Sequence, residues 1–419
     1  MKRTLILVLA LAACLVLTGS CKSAQKKMAE QLKSEIVDDL ENNLLPWWME
    51  NVPDDADGFW GEVRCDGTPV MEADRAGILN ARILWTFSSA YRVLGKTEYK
   101  ALADRAAKYY RAHFIDPEYG GSFYQLTPDG EPSQTQKSTY CIAFGIYALS
   151  EHYRATGDQA SLEAAVGLFR DFEAHIYDAA QGGGYIEGFT RDWQLPTPRP
   201  GRPAVTKTMN THIHVMEGLT NLYRVWPDPV LRDRLFELVE ILQTHLYNAE
   251  THHLILYCDR DWNSFNNADS YGHDIETSWL LCETAEVLGD KALIEKIRKQ
   301  AVDMCSTALD EGLRPDNAMM YEKRGDGSYQ SFAAWWCQNE TVVGCINAWQ
   351  ITGDDRYLEQ AVKTWGFIKE YLIDRENGGW FCNLNEDNTP KLQEMKASTW
   401  NCPYHNSRMG YEIIARLSK

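Results

Sequence analysis

The segment Tyr271 to Trp279, YGHDIETSW, carries an imidazole, a carboxylate and an indole at helical spacing. His273 and Glu276 are three residues apart and share a face on a helix, with Trp279 roughly 60° further round at about 100° per residue. A basic nitrogen, an acid and a flat apolar ring near a helix start suit acid/base chemistry on a sugar-like ring. Taken alone, the segment fits a capped helix with one hydrogen-bonded histidine equally well. What else the chain brings to the same place decides between these.

The elements that position it repeat. An aromatic, Gly-rich or hairpin-like turn recurs as GFWGEV at Gly58, YGGSFYQL at Tyr119, GGGYIEGF at Gly182, HLILYCD at His253, MMYEKRGDG at Met319 and GGWFCNL at Gly378. Starts about 60–70 residues apart mark a repeat architecture. Each turn is followed by a long apolar helical segment, beginning near Ile78, Ser138, Met209, His273, Ala334 and Pro403. The first five end in LGKTEY, TGDQAS, WPDPVL, LGDKAL and TGDDRY, which combine helix stop and start signals and lead into charged amphipathic helices. The sixth has no charged partner, whereas Met28 to Leu44, ended by Pro46, is a charged helix without an apolar one. Twelve helices in which the first completes the last describe a closed ring. The expectation is an all-α (α/α)6 barrel in one domain, residues 22–419. An open α-solenoid needs polar capping repeats at both ends, and none is seen.

On this map the ten histidines sort by place. His113, His175 and His245 lie near C-terminal ends of outer helices, where a polar ring suits the helix dipole. His152 ends an inner helix, and His252 and His253 occupy a turn; these six read as structural. His212, His214, His273 and His405 fall at or just before inner-helix starts, and all inner starts open at one mouth. Arg82, Tyr140, Asn210, Glu217, Trp336, Glu340, Trp400 and Arg408 fall at equivalent points. Asn210 and His214, His214 and Glu217, and Trp336 and Glu340 are at sharing spacings of three or four. Trp279, Trp336 and Trp400 are expected to offer flat apolar faces to a pyranose while polar groups fix its hydroxyls. The H-x-H of His212 and His214 with a distant histidine and glutamate is the alternative, a zinc set. A strand would put H-x-H on one face, but a helix start does not.

A net charge of −17 argues against nucleic acid and anionic lipid as partners and is compatible with a neutral substrate. Lys2 and Arg3, the apolar run Thr4 to Leu17 and the small residues of LTGSC read as a secretory leader, residues 1–21. The ending resembles a bacterial lipobox, which makes Cys21 the expected lipidation site, with ordinary cleavage near Ser20 or Cys21 as the alternative. The protein is therefore expected to be exported, periplasmic or membrane-anchored through lipid. Nine further cysteines, an odd number without C-x-x-C, indicate neither a disulfide framework nor a zinc site, so most are small buried residues.

NTHIHVMEGLTNLYR, YGHDIETSWLL, WWCQNE and WNCPYHN, with LNARILWTFS upstream, resemble the N-acylglucosamine 2-epimerase superfamily, and within it the cellobiose 2-epimerase branch, over essentially the whole mature chain. Members of that branch invert C2 of the reducing-end sugar of β-1,4 disaccharides, and the family fold is the (α/α)6 barrel. The resemblance implies that His273 and His405 are the acid/base pair. It places Arg82, Tyr140, Asn210, His214, Glu276, Trp279, Trp336, Glu340 and Trp400 at the substrate site and implies no metal or redox cofactor. On this reading His273 and His405 flank C2, Arg82 stabilises charge on O1 or O2, and His214 and Glu276 tune the bases or assist ring opening. The expected partner is a disaccharide, bound by a monomer or weak dimer. Three features depart from the pattern. Cys337 and Asn339 follow the tryptophan pair where many relatives have Pro and Ala. The stretch LPTPRPGRPAVTK before Asn210 is basic and Pro-rich, which leaves the disaccharide open. The leader differs from the usual cytoplasmic members. Other readings are an aldose–ketose isomerase or N-acyl-hexosamine 2-epimerase of the same superfamily and a non-catalytic sugar-binding lipoprotein. A glycoside hydrolase using Glu276 and Glu340 is a further one; inverting enzymes hold such carboxylates about 6.5–9.5 Å apart.

Overall fold

Glycine sets where the inner helices stop. Gly95, Gly157, Gly289 and Gly353 each take a left-handed conformation (φ 70 to 76°) and donate their N–H back to the preceding turn, a geometry that costs a residue with a Cβ more. In the third unit Asp228 and Pro229 do the work instead, with the Asp228 carboxylate accepting the Val230 and Leu231 N–H groups. The computed structural model describes residues 24–197, 204–265 and 268–418. The leader with Cys21 and part of the Pro-rich segment lie outside the described residues.

Among the described residues there are twelve helices. The inner ones are α2 (Gly77–Leu94), α4 (Thr139–Thr156), α6 (Met209–Val225), α8 (Tyr271–Leu288), α10 (Trp335–Thr352) and α12 (Tyr404–Arg416). The outer ones are α1 (residues 24–51), α3 (Thr97–Tyr109), α5 (Gln159–Asp171), α7 (Pro229–Thr244), α9 (Lys291–Gly312) and α11 (Asp355–Phe367). Each inner helix packs on the next, and α12 packs back on α2, which closes the ring as an (α/α)6 barrel. Inner helices are buried nearly all round, as in α2 from Gly77 to Ala90, whereas α11 buries one face through Tyr357, Leu358, Ala361 and Trp365. The N-terminal helix completes the last unit: Glu35 accepts from Trp365 and Lys369, and Asp39 from Trp380. The expected stop at Pro46 does not hold. A π-turn at Leu40–Leu44 precedes it, and Pro46 takes the first turn of the next α segment, where a missing N–H is tolerated.

Two-residue strands at one end feed the inner helices. Lys137–Ser138 pairs with Gly188–Phe189, Lys207–Thr208 with Tyr257–Cys258, and Arg75–Ala76 with Gln125–Leu126, all antiparallel. Buried ion pairs lock these starts: Lys137 to Asp116 at 2.7 Å, Lys207 to Asp178 at 3.2 Å, Lys396 to Asp374 at 2.7 Å and Arg75 to Asp54. In the first three units the cation lies two residues before the inner helix and the aspartate just after the outer one, so the repeat fixes where each helix begins. Breaking one such pair leaves an uncompensated buried charge, a loss of about 3–5 kcal/mol. All nine cysteines of the described chain are free, and most are buried.

Candidate active site

The fixed starts aim six helices at one mouth, where a cavity of about 300 Å³ is lined by residues from all of them. Helix α2 supplies Arg82, α4 Tyr140, α6 Asn210 and His214, α8 His273 and Glu276, α10 Trp336, and α12 His405; Trp400 comes from the segment before α12. Tyr321 and Phe332, from the hairpin before α10, also line it. A second cavity of about 350 Å³ shares Tyr140, Asn210, His273, Tyr321 and Trp400 and runs on to Glu187, Tyr257 and Glu322.

Each imidazole is held by one nitrogen. The Nδ1–H of His405 donates to Glu340 Oε1 at 2.7 Å, and that of His214 to Glu217 Oε2 at 2.9 Å. With Nδ1 protonated in the neutral ring, Nε2 carries the lone pair in both cases. His273 Nδ1 is 2.6 Å from Ser270 Oγ. Trp336 lies against both His273 and His405, with ring centroids 4.6 and 5.7 Å away. Burial brings the His273 pKa down to about 4 against the pull of Glu276. Burial, reinforced by Arg408 and Arg82, pushes His405 well below the ordinary histidine range. Both rings are therefore neutral bases at neutral pH.

Beneath the cavity floor a single guanidinium organises the carboxylates. Fully buried Arg408 donates to Glu340 Oε1 at 2.7 Å and to Glu217 and Glu276 at short range, and Tyr404 hydroxyl donates to Glu217. Burial opposes ionisation of Glu217, but Arg408 and then His214 and Tyr404 override it and hold its pKa at about 2. Burial pushes the Glu340 carboxyl up, with Arg408 and Trp279 opposing. Glu276 keeps one oxygen without a hydrogen-bond partner, as does Asn210 with its amide oxygen, and both residues line the cavity.

Arg82 is a different kind of cation. It donates to Tyr140 hydroxyl at 2.6 Å and to Cys402 Sγ at 3.4 Å, and lies over the rings of Phe144 and Tyr404 at 4.3 and 4.9 Å. Among the described residues no carboxylate pairs with it, so its positive field is free to act on an anion formed in the cavity.

Two of the expected substrate-site residues lie beneath the cavity rather than on its surface. Trp279 is only 1% exposed and does not line the cavity; its indole N–H donates to Glu340 Oε2 at 2.9 Å, and Arg408 stacks over it at 4.8 Å. Glu340 likewise lies under the cavity wall, where it accepts from His405. Trp336 and Trp400 do reach the cavity, Trp400 half exposed at its rim. His212 also leaves the mouth group: it is wholly buried, with Nδ1 2.7 Å from the Thr208 carbonyl and Nε2 accepting the Tyr185 N–H. His175 and His245 stack on Trp193 and Trp262, in line with their structural reading. Sequence spacing singled out Arg408 and Glu217 without a role and missed Tyr404, whose partners lie on other helices of the ring.

Glu276, Glu340 and His405 could be taken for a metal set, their ligand atoms lying within 4.8 Å of one another. The Arg408 guanidinium already bonds both carboxylates and supplies the cation there. The same 4.8 Å is too short for the water that an inverting hydrolase places between its two acids. Neutral imidazoles on an open cavity, beside a cation that no carboxylate neutralises, fit proton transfer on a polyol, the chemistry of a sugar isomerase. The chain belongs to the N-acylglucosamine 2-epimerase family, whose sequence model matches residues 58–407, and to its cellobiose 2-epimerase branch. It is similar to the cellobiose 2-epimerase of Bacteroides fragilis, 44% identical over 92% of this chain and 100% of that one. The cellobiose 2-epimerase of Ruminococcus albus is 36% identical over 91% of this chain and 98% of its own. The solved structure of the Bacillus thermoamylovorans cellobiose 2-epimerase superposes with a TM-score of 0.87 at 33% identity, covering 92% and 100% of the two chains. The protein is an isomerase, a sugar 2-epimerase.

Proposed function

We propose that the protein inverts C2 of the reducing-end aldose of a β-1,4-linked disaccharide of the cellobiose or mannobiose kind, through an enediolate. The observation that carries this reading is the pair of neutral imidazoles, His273 and His405, set against one tryptophan, Trp336, with Arg82 on the same cavity. After ring opening, one imidazole takes the C2 proton α to the aldehyde. The negative charge that moves onto O1 is stabilised by Arg82, and the other imidazole relays a proton from solvent to the opposite face while the first imidazolium gives its proton back to solvent. His405, with Nδ1–H committed to Glu340, presents Nε2 for this exchange; His214, held by Glu217, and the open oxygen of Glu276 are placed to orient hydroxyls or assist ring opening. The adjoining second cavity, entered past Tyr140 and Trp400, gives room for a second sugar ring. The names of the similar proteins support the disaccharide.

The proposal includes a single barrel domain, residues 22–419, following a leader, residues 1–21, with the enzyme exported and lipid-anchored through Cys21. Among the described residues no helix is long and apolar enough to cross a membrane. Proton NMR with cellobiose or mannobiose in D2O tests the activity. Loss of the reducing-end H2 signal with appearance of the C2-epimeric disaccharide is expected. A ketose product would move the reading to an aldose–ketose isomerase, and free monosaccharide to a hydrolase.

A further inference from the structure

The fourth unit departs from the ion pair that fixes the first three inner-helix starts. At the place two residues before the helix, where Arg75, Lys137 and Lys207 stand, α8 has Asp269; at the place of Asp116 and Asp178 stands neutral Asn248. A carboxylate thus replaces the buried cation, and its neighbours are a second carboxylate, Glu311 near the end of α9, and an imidazole, His253 from the turn after α7. One ligand atom from each of the three lies within 4.8 Å of the others.

His253 is 4% exposed, and its Nε2 has no hydrogen-bond partner among the described residues. That nitrogen points into the carboxylates, 3.5 Å from Glu311 Oε2. Its other nitrogen donates to Asp274 Oδ2 at 2.8 Å, and Asp274 Oδ1 is itself fixed by the Leu254 N–H at 2.8 Å. A carboxylate that accepts from one ring nitrogen and turns the other outward is the usual support of a metal-ligating histidine. Ligand bonds of about 2.0–2.1 Å in a tetrahedron set neighbouring donors about 3.4 Å apart, which the His253–Glu311 separation meets without movement. Lys323 supplies positive charge only loosely, with its ammonium 3.5 Å from Asp269 and 3.9 Å from Glu311 and its side chain one-third exposed.

We propose that His253, Asp269 and Glu311 bind a divalent cation of the zinc class, completed by water, that takes the place of the buried cation of the first three units. The ion ties the turn after α7, the lead into α8 and the end of α9 to one point. It thereby fixes the segment carrying Ser270 and His273 from outside the cavity. Nothing in this site touches substrate, so it stands whether or not the disaccharide reading does.

Isothermal titration of the chelator-treated mature protein with zinc chloride tests it. One ion per chain is expected. Affinity should fall at least about ten-fold in His253→Asn, which keeps a donor toward Asp274, and in Glu311→Gln at a half-exposed position that folding tolerates. It should tighten in Lys323→Gln, where the competing charge is gone. Absence of zinc uptake by the folded wild-type protein overturns the proposal, as does unchanged affinity in both ligand variants. Loss of binding in His405→Asn instead, with His253→Asn unaffected, overturns it equally by moving the ion to the cavity.

Discussion

Replacing Glu340 by glutamine tests whether the buried carboxylate sets the base. Three donors converge on Glu340: His405 Nδ1 and Arg408 at 2.7 Å each on Oε1, and Trp279 Nε1 at 2.9 Å on Oε2. An amide offers one acceptor and one donor, so it cannot satisfy all three. If its oxygen faces His405, its NH2 meets the Trp279 N–H, and a buried donor is lost at about 1–3 kcal/mol. If it flips, its NH2 donates to Nδ1, the ring shifts its proton to Nε2, and the base toward the cavity is gone. In either orientation the imidazolium formed on proton abstraction loses a facing charge, which at about 4 Å and an effective dielectric of about 20 is worth about 4 kcal/mol. That equals about three orders of magnitude in rate. Steady-state epimerisation of cellobiose should therefore show kcat down about 10³-fold, with KM little changed because Glu340 does not line the cavity. A folded Glu340→Gln protein whose kcat stays near the parent value would refute the assignment of Glu340 as the residue that positions and charges His405.

The other expectations follow from the same geometry. Arg82→Met should lower kcat by about 10²–10³-fold yet leave the melting temperature unchanged or raised, because a buried cation without a carboxylate is removed; activity and stability lost together would mean a structural role. Trp279→Phe should destabilise the fold by about 1–3 kcal/mol with KM held, as an indole N–H under the floor is deleted; a large rise in KM alone would restore the stacking-face reading. His212 is wholly buried with its pKa pushed down to about 4, against about 6.5 in the unfolded chain. Between these values the unfolded chain binds more protons, so stability present above pH 6.5 is lost as pH falls toward 4, by about 3 kcal/mol for this group. Urea midpoints should be lower at pH 5 than at pH 7, and an unchanged midpoint would count against it. Cys21→Ser should move the protein from the membrane fraction to the soluble one; unchanged partition would remove the lipid anchor.

Much of this site was legible because the repeat reports where each inner helix begins, and a helix start is what a barrel exposes at its mouth. His273, Asn210, Tyr140, Trp336 and His405 lie within two residues of the starts of their helices, and all of them line the cavity. Phase around the helix accounts for His212. Two residues from His214, it is turned about 200° away and faces the hairpin behind the barrel wall. Depth accounts for Trp279. At 1.5 Å per residue, Trp279 lies about 12 Å below the first residue of α8, so a shared face with His273 still leaves it under the floor; Glu340 is no deeper in its helix than cavity-lining Glu276 and is drawn aside by His405, Arg408 and Trp279. Arg82 is as deep in α2 as Glu340 in α10, but a longer side chain carries its guanidinium up to the cavity. The role of Arg408 was out of reach for another reason. Its partners come from α6, α8, α10 and its own helix, and no spacing along one helix can announce a contact made across the ring. A fully buried arginine four residues past the start of the last inner helix signals only that buried acids must wait for it elsewhere. Glu217, Glu276 and Glu340, each buried in a different inner helix, are those acids, and reading the inner helices across the ring rather than one at a time is the step that brings them together.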